Sequence, residues 1–65
     1  MNLPEREKEF LKLLATDLTL KEIAAKMNLS PRTIDGYRDN LFEKVKVSNR
    51  VGLVLFALRN NLIQL

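Results

Sequence analysis

The stretch Thr19-Leu20-Lys21-Glu22-Ile23-Ala24-Ala25-Lys26-Met27-Asn28-Leu29-Ser30-Pro31-Arg32-Thr33-Ile34 contains two helix starts. Thr19 with Glu22 forms a capping box: the Thr hydroxyl accepts from the Glu22 N–H, and the Glu side chain reaches back to the Thr19 N–H. Leu20, Ile23, Ala24 and Met27 then recur at the spacing of one helix face. Asn28-Leu29 makes a turn. Ser30 is the N-cap of the next helix, and Pro31 suits its first position, where a missing N–H costs nothing. Leu29 can plug the angle between the two helices, and Ala24 is small where they approach. Two capped helices so joined have the form of a helix-turn-helix, here over about residues 19–46. A tight αα-corner of purely structural role shows the same pattern, so the flanking residues have to decide.

Downstream, Ile34, Tyr37, Leu41 and Val45 line the inner face of the third helix. Arg32, Gly36, Asp39 and Glu43 lie opposite, flanked by Asp35 and Asn40. An ordinary solvated face reads this way. So does a face that enters a DNA major groove, with Arg32, Asp35, Gly36 and Asp39 at the base edges. A mid-helix Gly costs roughly 1 kcal/mol relative to Ala. Nothing local offsets that cost at Gly36, which points to close approach by another surface. Asp35 and Asp39 repel phosphate, yet an acid in a recognition helix can accept from cytosine N4 or orient a neighbouring Arg. Arg38 lies three residues from Asp35 and beside Asp39, and is the reading or phosphate-clamping partner in that arrangement.

Phosphate positioning then falls to other residues. Thr19, Lys21, Ser30 and Thr33 stand at helix N-termini, where N–H groups also favour an anion. Lys44, Lys46 and Arg50 carry positive charge past the third helix. The first helix spans about residues 4–15, with Pro4 at its start and Leu3, Phe10, Leu11 and Leu14 as its stripe. Glu7 falls on that apolar stripe, and a core-facing carboxylate needs a partner. Ser48 caps a fourth helix, over about residues 49–60, and Asn61 is a plausible left-handed terminator in place of Gly. This helix is apolar nearly all round. Val51, Val54, Leu55 and Leu58 make one face, and Leu53, Phe56 and Ala57 the other. A small core uses one face, so the surplus argues for a symmetric dimer through Val51, Leu55 and Leu58. A core that wraps two sides of the helix is the alternative.

Composition agrees with a single all-α domain over residues 1–65. The chain has 65 residues, two Gly and two Pro, and no run alternates cleanly between apolar and polar, which disfavours strands. No Cys and no His occur, so a disulfide, a zinc or haem site and a His-based triad are all excluded. With no phosphate-cradling glycine loop either, the chain is not read as an enzyme and needs no cofactor or metal. A net charge of +3 leans toward nucleic acid, but 29% charged residues is ordinary. The longest apolar run, 53–58, is far too short to span a membrane, and the expectation is a cytoplasmic protein. A chain that opens this close to a helix reads as a domain cut from something larger.

Nearly the whole chain resembles the LuxR-type, or GerE-like, helix-turn-helix domain found at the end of response regulators and quorum-sensing regulators. The resemblance rests on Leu3-Pro4-Glu5-Arg6-Glu7-Lys8-Glu9, Leu18-Thr19-Leu20-Lys21-Glu22-Ile23-Ala24, Leu29-Ser30-Pro31-Arg32-Thr33-Ile34-Asp35-Gly36-Tyr37, Lys44-Val45-Lys46-Val47 with Arg50, and Asn61-Leu62-Ile63. Each block alone is weak and their joint spacing is specific. The resemblance implies a four-helix domain whose third helix reads double-stranded DNA and whose fourth helix forms a homodimer. It implies that Glu7 pairs with Arg50, and that Lys21 and Thr33 contact the DNA backbone. Asp35, Gly36 and Asp39 depart from it: many relatives carry a Lys, an apolar residue and a Lys there. Tyr37 stands where His is common. The Asp-Gly-Tyr-Arg-Asp run is similar to a subgroup of two-component response regulators, which implies a missing N-terminal receiver or sensor domain. Region four of sigma factors is an adjacent helix-turn-helix alternative. A helical interaction module without DNA binding is the alternative from another class, and Asp35, Asp39 and the apolar fourth helix are its arguments.

Overall fold

In a computed structural model of the chain, residues 3–64 are described. Four helices follow from the local chemistry: α1 (Glu5–Leu14), α2 (Leu20–Lys26), α3 (Pro31–Val45) and α4 (Arg50–Arg59). Pro4 is the N-cap of α1, with ψ 151°, and its carbonyl accepts from Lys8 N at 3.1 Å. The box at α2 is closed in both directions, Glu22 N to Thr19 Oγ1 at 3.2 Å and Thr19 N to Glu22 Oε1 at 2.8 Å. Ser30 caps α3 through Thr33 N at 3.1 Å, with Pro31 in the first turn.

The cap of α4 differs from the expectation. Asn49, not Ser48, holds it, accepting from Gly52 N at 2.8 Å. Ser and Asn rank equally as N-caps, so residue type alone does not choose between neighbours. At the other ends, α2 and α4 stop alike. Asn28 and Asn61 take left-handed φ of 58° and 57°. Leu29 N then reaches Ala24 O at 2.9 Å, and Leu62 N reaches Ala57 O at 2.8 Å. These bonds satisfy carbonyls that a helix end otherwise leaves open. Lys46 ends α3 with φ 60°, and Val47 N bonds Phe42 O at 3.1 Å.

The core takes one stripe from each helix. Phe10 and Leu11 come from α1, Ile23 and Ala24 from α2, Ile34 and Leu41 from α3, and Leu53 and Ala57 from α4, all essentially sealed from water. Burying a side chain of the larger kind contributes roughly 1.5–3 kcal/mol. The Phe10 ring meets Tyr37 edge-on, centroids 5.9 Å apart at 84°. This packing answers the absence of covalent staples and sets α2 against α3, with α1 bracing the first of them and α4. Among the described residues, no side-chain polar atom is buried without a hydrogen-bond partner.

Candidate nucleic-acid interface

The left-handed Asn28 turns the chain from α2 into α3, while half-buried Leu29 packs against the core between them. The expected plug is therefore in place. Arg6 adds a tie that the sequence did not disclose. It donates to Met27 O at 2.7 Å and pairs with Glu9 at 3.2 Å, bracing α1 against the end of α2. No spacing announces a contact across 21 residues; only the general affinity of Arg for unsatisfied helix-end carbonyls hinted at it.

Ile34 and Leu41 hold α3 to the core, and the opposite side faces solvent: Arg32, Asp35, Gly36, Asp39 and Glu43 are all exposed. A Cβ placed on Gly36 would meet nothing within 4 Å. Nothing in the fold itself requires glycine there. Arg38 is not on this outward row. It lies about 40° around the helix from Ile34, is half-buried, and walls a small apolar recess with Leu14, Leu20, Phe42 and Arg50. From that flank its Nε donates to Asp39 Oδ1 at 3.1 Å, and its Nη1 lies 3.7 Å from Asp35 Oδ1. One guanidinium thus pairs with two carboxylates and offsets one of their two charges.

The expected phosphate-positioning residues fall into two groups. Thr19, Lys21, Ser30 and Thr33 are exposed at the starts of α2 and α3. The Thr19 and Ser30 oxygens accept from their capped amides, and Ser30 Oγ donates to Thr33 Oγ1 at 3.0 Å. The Thr19 N–H donates in turn to the Glu22 carboxylate, and this holds the Glu22 carboxyl below its ordinary pKa; that backbone bond is the larger cause and the Thr19 side chain the smaller. Lys21 joins no ion pair among the described residues, and neither does Arg32. Lys44 is differently placed: its Nζ lies 3.3 Å from Glu7 Oε1 and 3.4 Å from Oε2.

That contact overturns the expected Glu7–Arg50 pair. Glu7 is the core-stripe acid, with a side chain only 12% exposed, and its partner is Lys44 near the end of α3. Arg50 donates instead to Leu14 O at 3.0 Å and Thr16 O at 2.8 Å. The reason is reach. Leu14 lies seven residues beyond Glu7, about 10 Å along the helix, and Arg50 opens α4 beside that far end. There it meets carbonyls left open by the end of α1, which a guanidinium can satisfy.

On α4, Leu53 and Ala57 are buried whereas Val51 is 67% and Leu55 43% exposed; Val54 and Leu58 are intermediate. Leu14, Ala15, Arg50, Val51, Val54 and Leu55 line one shallow groove. Among the described residues there is no cluster of metal-ligating side chains, and no helix is long and apolar enough to cross a membrane.

Known proteins carry the same pattern. The family model for bacterial regulatory proteins of the luxR family matches residues 1–57. The chain is 44% identical over 63 residues to a probable transcriptional regulator ycf29 of Cyanophora paradoxa, covering 97% of this chain and 30% of that protein. It is 47% identical over 51 residues to the transcriptional regulatory protein UhpA of Escherichia coli, covering 78% and 26%. It is 34% identical over 62 residues to the response regulator GacA of Pseudomonas aeruginosa, covering 95% and 29%. The chain therefore spans less than a third of the length of each of these relatives.

Proposed function

The chain belongs to the LuxR family of bacterial regulatory proteins, and from that premise we propose that it is the sequence-specific DNA-binding output domain of a cytoplasmic two-component response regulator. Its relatives are transcriptional and response regulators more than three times its length. In this reading, an N-terminal receiver domain precedes the chain, and a homodimer forms through Val51, Leu55 and Leu58 of α4. The helix-turn-helix sets α3 in the major groove. Arg32, Asp35, Gly36 and Asp39 face base edges, and Thr19, Lys21, Ser30 and Thr33 hold the backbone. Lys44 remains a backbone candidate at the price of its bond to Glu7.

The observation that carries the reading is the open position at Gly36. A helix interior accepts glycine's cost there although its own fold leaves the space empty. A groove wall or base edge can come up against the helix backbone at that point. The interaction-module alternative drew on Asp35 and Asp39, but both lie against Arg38, which removes part of their repulsion for phosphate.

Selection from random duplexes, followed by titration at several salt concentrations, tests the proposal. The expected product is a pseudo-palindromic site bound with a steep loss of affinity as salt rises. Lys21→Ala should weaken binding to all duplexes alike and reduce the salt slope by about 1 per protomer. Arg32→Ala should change the selected sequence. No preference for DNA at low salt, under conditions where the chain is dimeric, would refute the reading.

A further inference from the structure

Asp35 and Asp39 are the sharpest departure from the family pattern, and the structure places Arg38 between them. A carboxylate left to swing on an exposed helix face repels phosphate and specifies nothing. Arg38 restricts that freedom. Its position at the edge of the recess formed by Leu14, Leu20, Phe42 and Arg50 anchors it from below. Its Nε hydrogen bond uses Oδ1 of Asp39, while Oδ2 of Asp39 accepts no hydrogen bond among the described residues. Asp39 remains exposed on the outward side, one turn beyond open Gly36. In the major groove the donors are the exocyclic amino groups of cytosine and adenine, and a carboxylate pairs best with cytosine N4.

Resting on the DNA-binding reading above, we propose that Arg38 is a positioning residue that aims Asp39, and less tightly Asp35, to accept from a cytosine amino group in each half-site. Arg38 offsets the acid's charge near the phosphates and turns one lone pair outward. The side chain that touches the base is Asp39; Arg38 acts through it.

The test is selection from random duplexes by the 65-residue chain and three variants, each checked for thermal melting. The original chain should select a cytosine at one position of each half-site, preferred about tenfold over other bases. Asp39→Asn should convert that same position toward adenine, since an amide pairs with adenine N6 and N7. Arg38→Met should loosen the preference at that position and no other, and Arg38→Lys should restore part of it. Should Arg38→Met fail to fold, Arg38→Lys against Asp39→Asn carries the comparison. Three results would overturn the proposal: Arg38→Met altering a different position, which would make Arg38 itself the reader; Arg38→Met weakening all duplexes alike with a shallower salt slope, which would make it a phosphate clamp; or Asp39→Asn leaving the selected sequence unchanged. Loss of all duplex binding by the original chain would refute the DNA-binding reading itself, and this inference with it.

Discussion

Helices α3 and α4 bury one side each in the same core and differ in what they show on the other. On α3 the outward side is charged, and two of its three acids, Asp35 and Asp39, are held by one arginine. On α4 the outward side is apolar, with Val51 and Leu55 left to solvent. The inner sides do the same physical work, so the outer sides distinguish the helices. A charged row with a glycine gap suits a polar, closely approaching surface; an exposed apolar pair suits another apolar face.

The comparison can be broken at its common base. Leu41→Ala on α3 and Leu53→Ala on α4 each remove a fully buried side chain, and each should cost about 2–5 kcal/mol in denaturant unfolding. A cost below about 1 kcal/mol for either would mean that the two helices do not share one core equally. The next largest effect sharpens the outer difference. Leu55→Glu should abolish self-association in sedimentation while changing the unfolding free energy, measured at a dilution where both chains are monomeric, by no more than about 0.5 kcal/mol. Unfolding of that variant would assign the face to the core instead.

A smaller effect separates stability from binding. Gly36→Ala adds a methyl group to empty space, so it should raise stability by about 1 kcal/mol and still weaken duplex binding. A variant both more stable and equally tight would remove the case for close approach at α3. The smallest effect concerns the start of α2. Glu22 is held below its ordinary pKa by the Thr19 bonds. Its contribution is therefore complete above the ordinary glutamate range and fades as pH falls through the lowered value. The melting difference between the chain and Glu22→Gln should narrow as the pH falls below the ordinary glutamate value of about 4.3. A difference constant with pH would show that the carboxylate charge plays no part.

What was legible in the sequence was whatever is decided within one helical turn. The Thr19–Glu22 box, the Ser30-Pro31 start, the Asn61 terminator and the apolar stripes all depend on neighbours three or four residues away. The outward row of α3 followed from the same periodicity. The cap of α4, expected at Ser48 and found at its neighbour Asn49, was already beyond that resolution. Contacts across 36 or 37 residues were further out of reach. Glu7 has a clear need for a cation, and α3 and α4 each offer one. The choice of Lys44 follows from how far along α1 each helix crosses, which no spacing encodes. Arg38 was seen as a partner for the acids, but its place on the flank rather than in the row required the fold.

The two hydrogen bonds of Arg50 have a consequence for how the domain melts. They fasten the start of α4 to the end of α1, and Arg50 lines the same groove as Val51 and Leu55. A partner seated in that groove would exclude water from both bonds as well as from the apolar rim, and a bond shielded from water is the stronger one. Assembly and folding would then be a single linked equilibrium, and the melting temperature would fall on dilution.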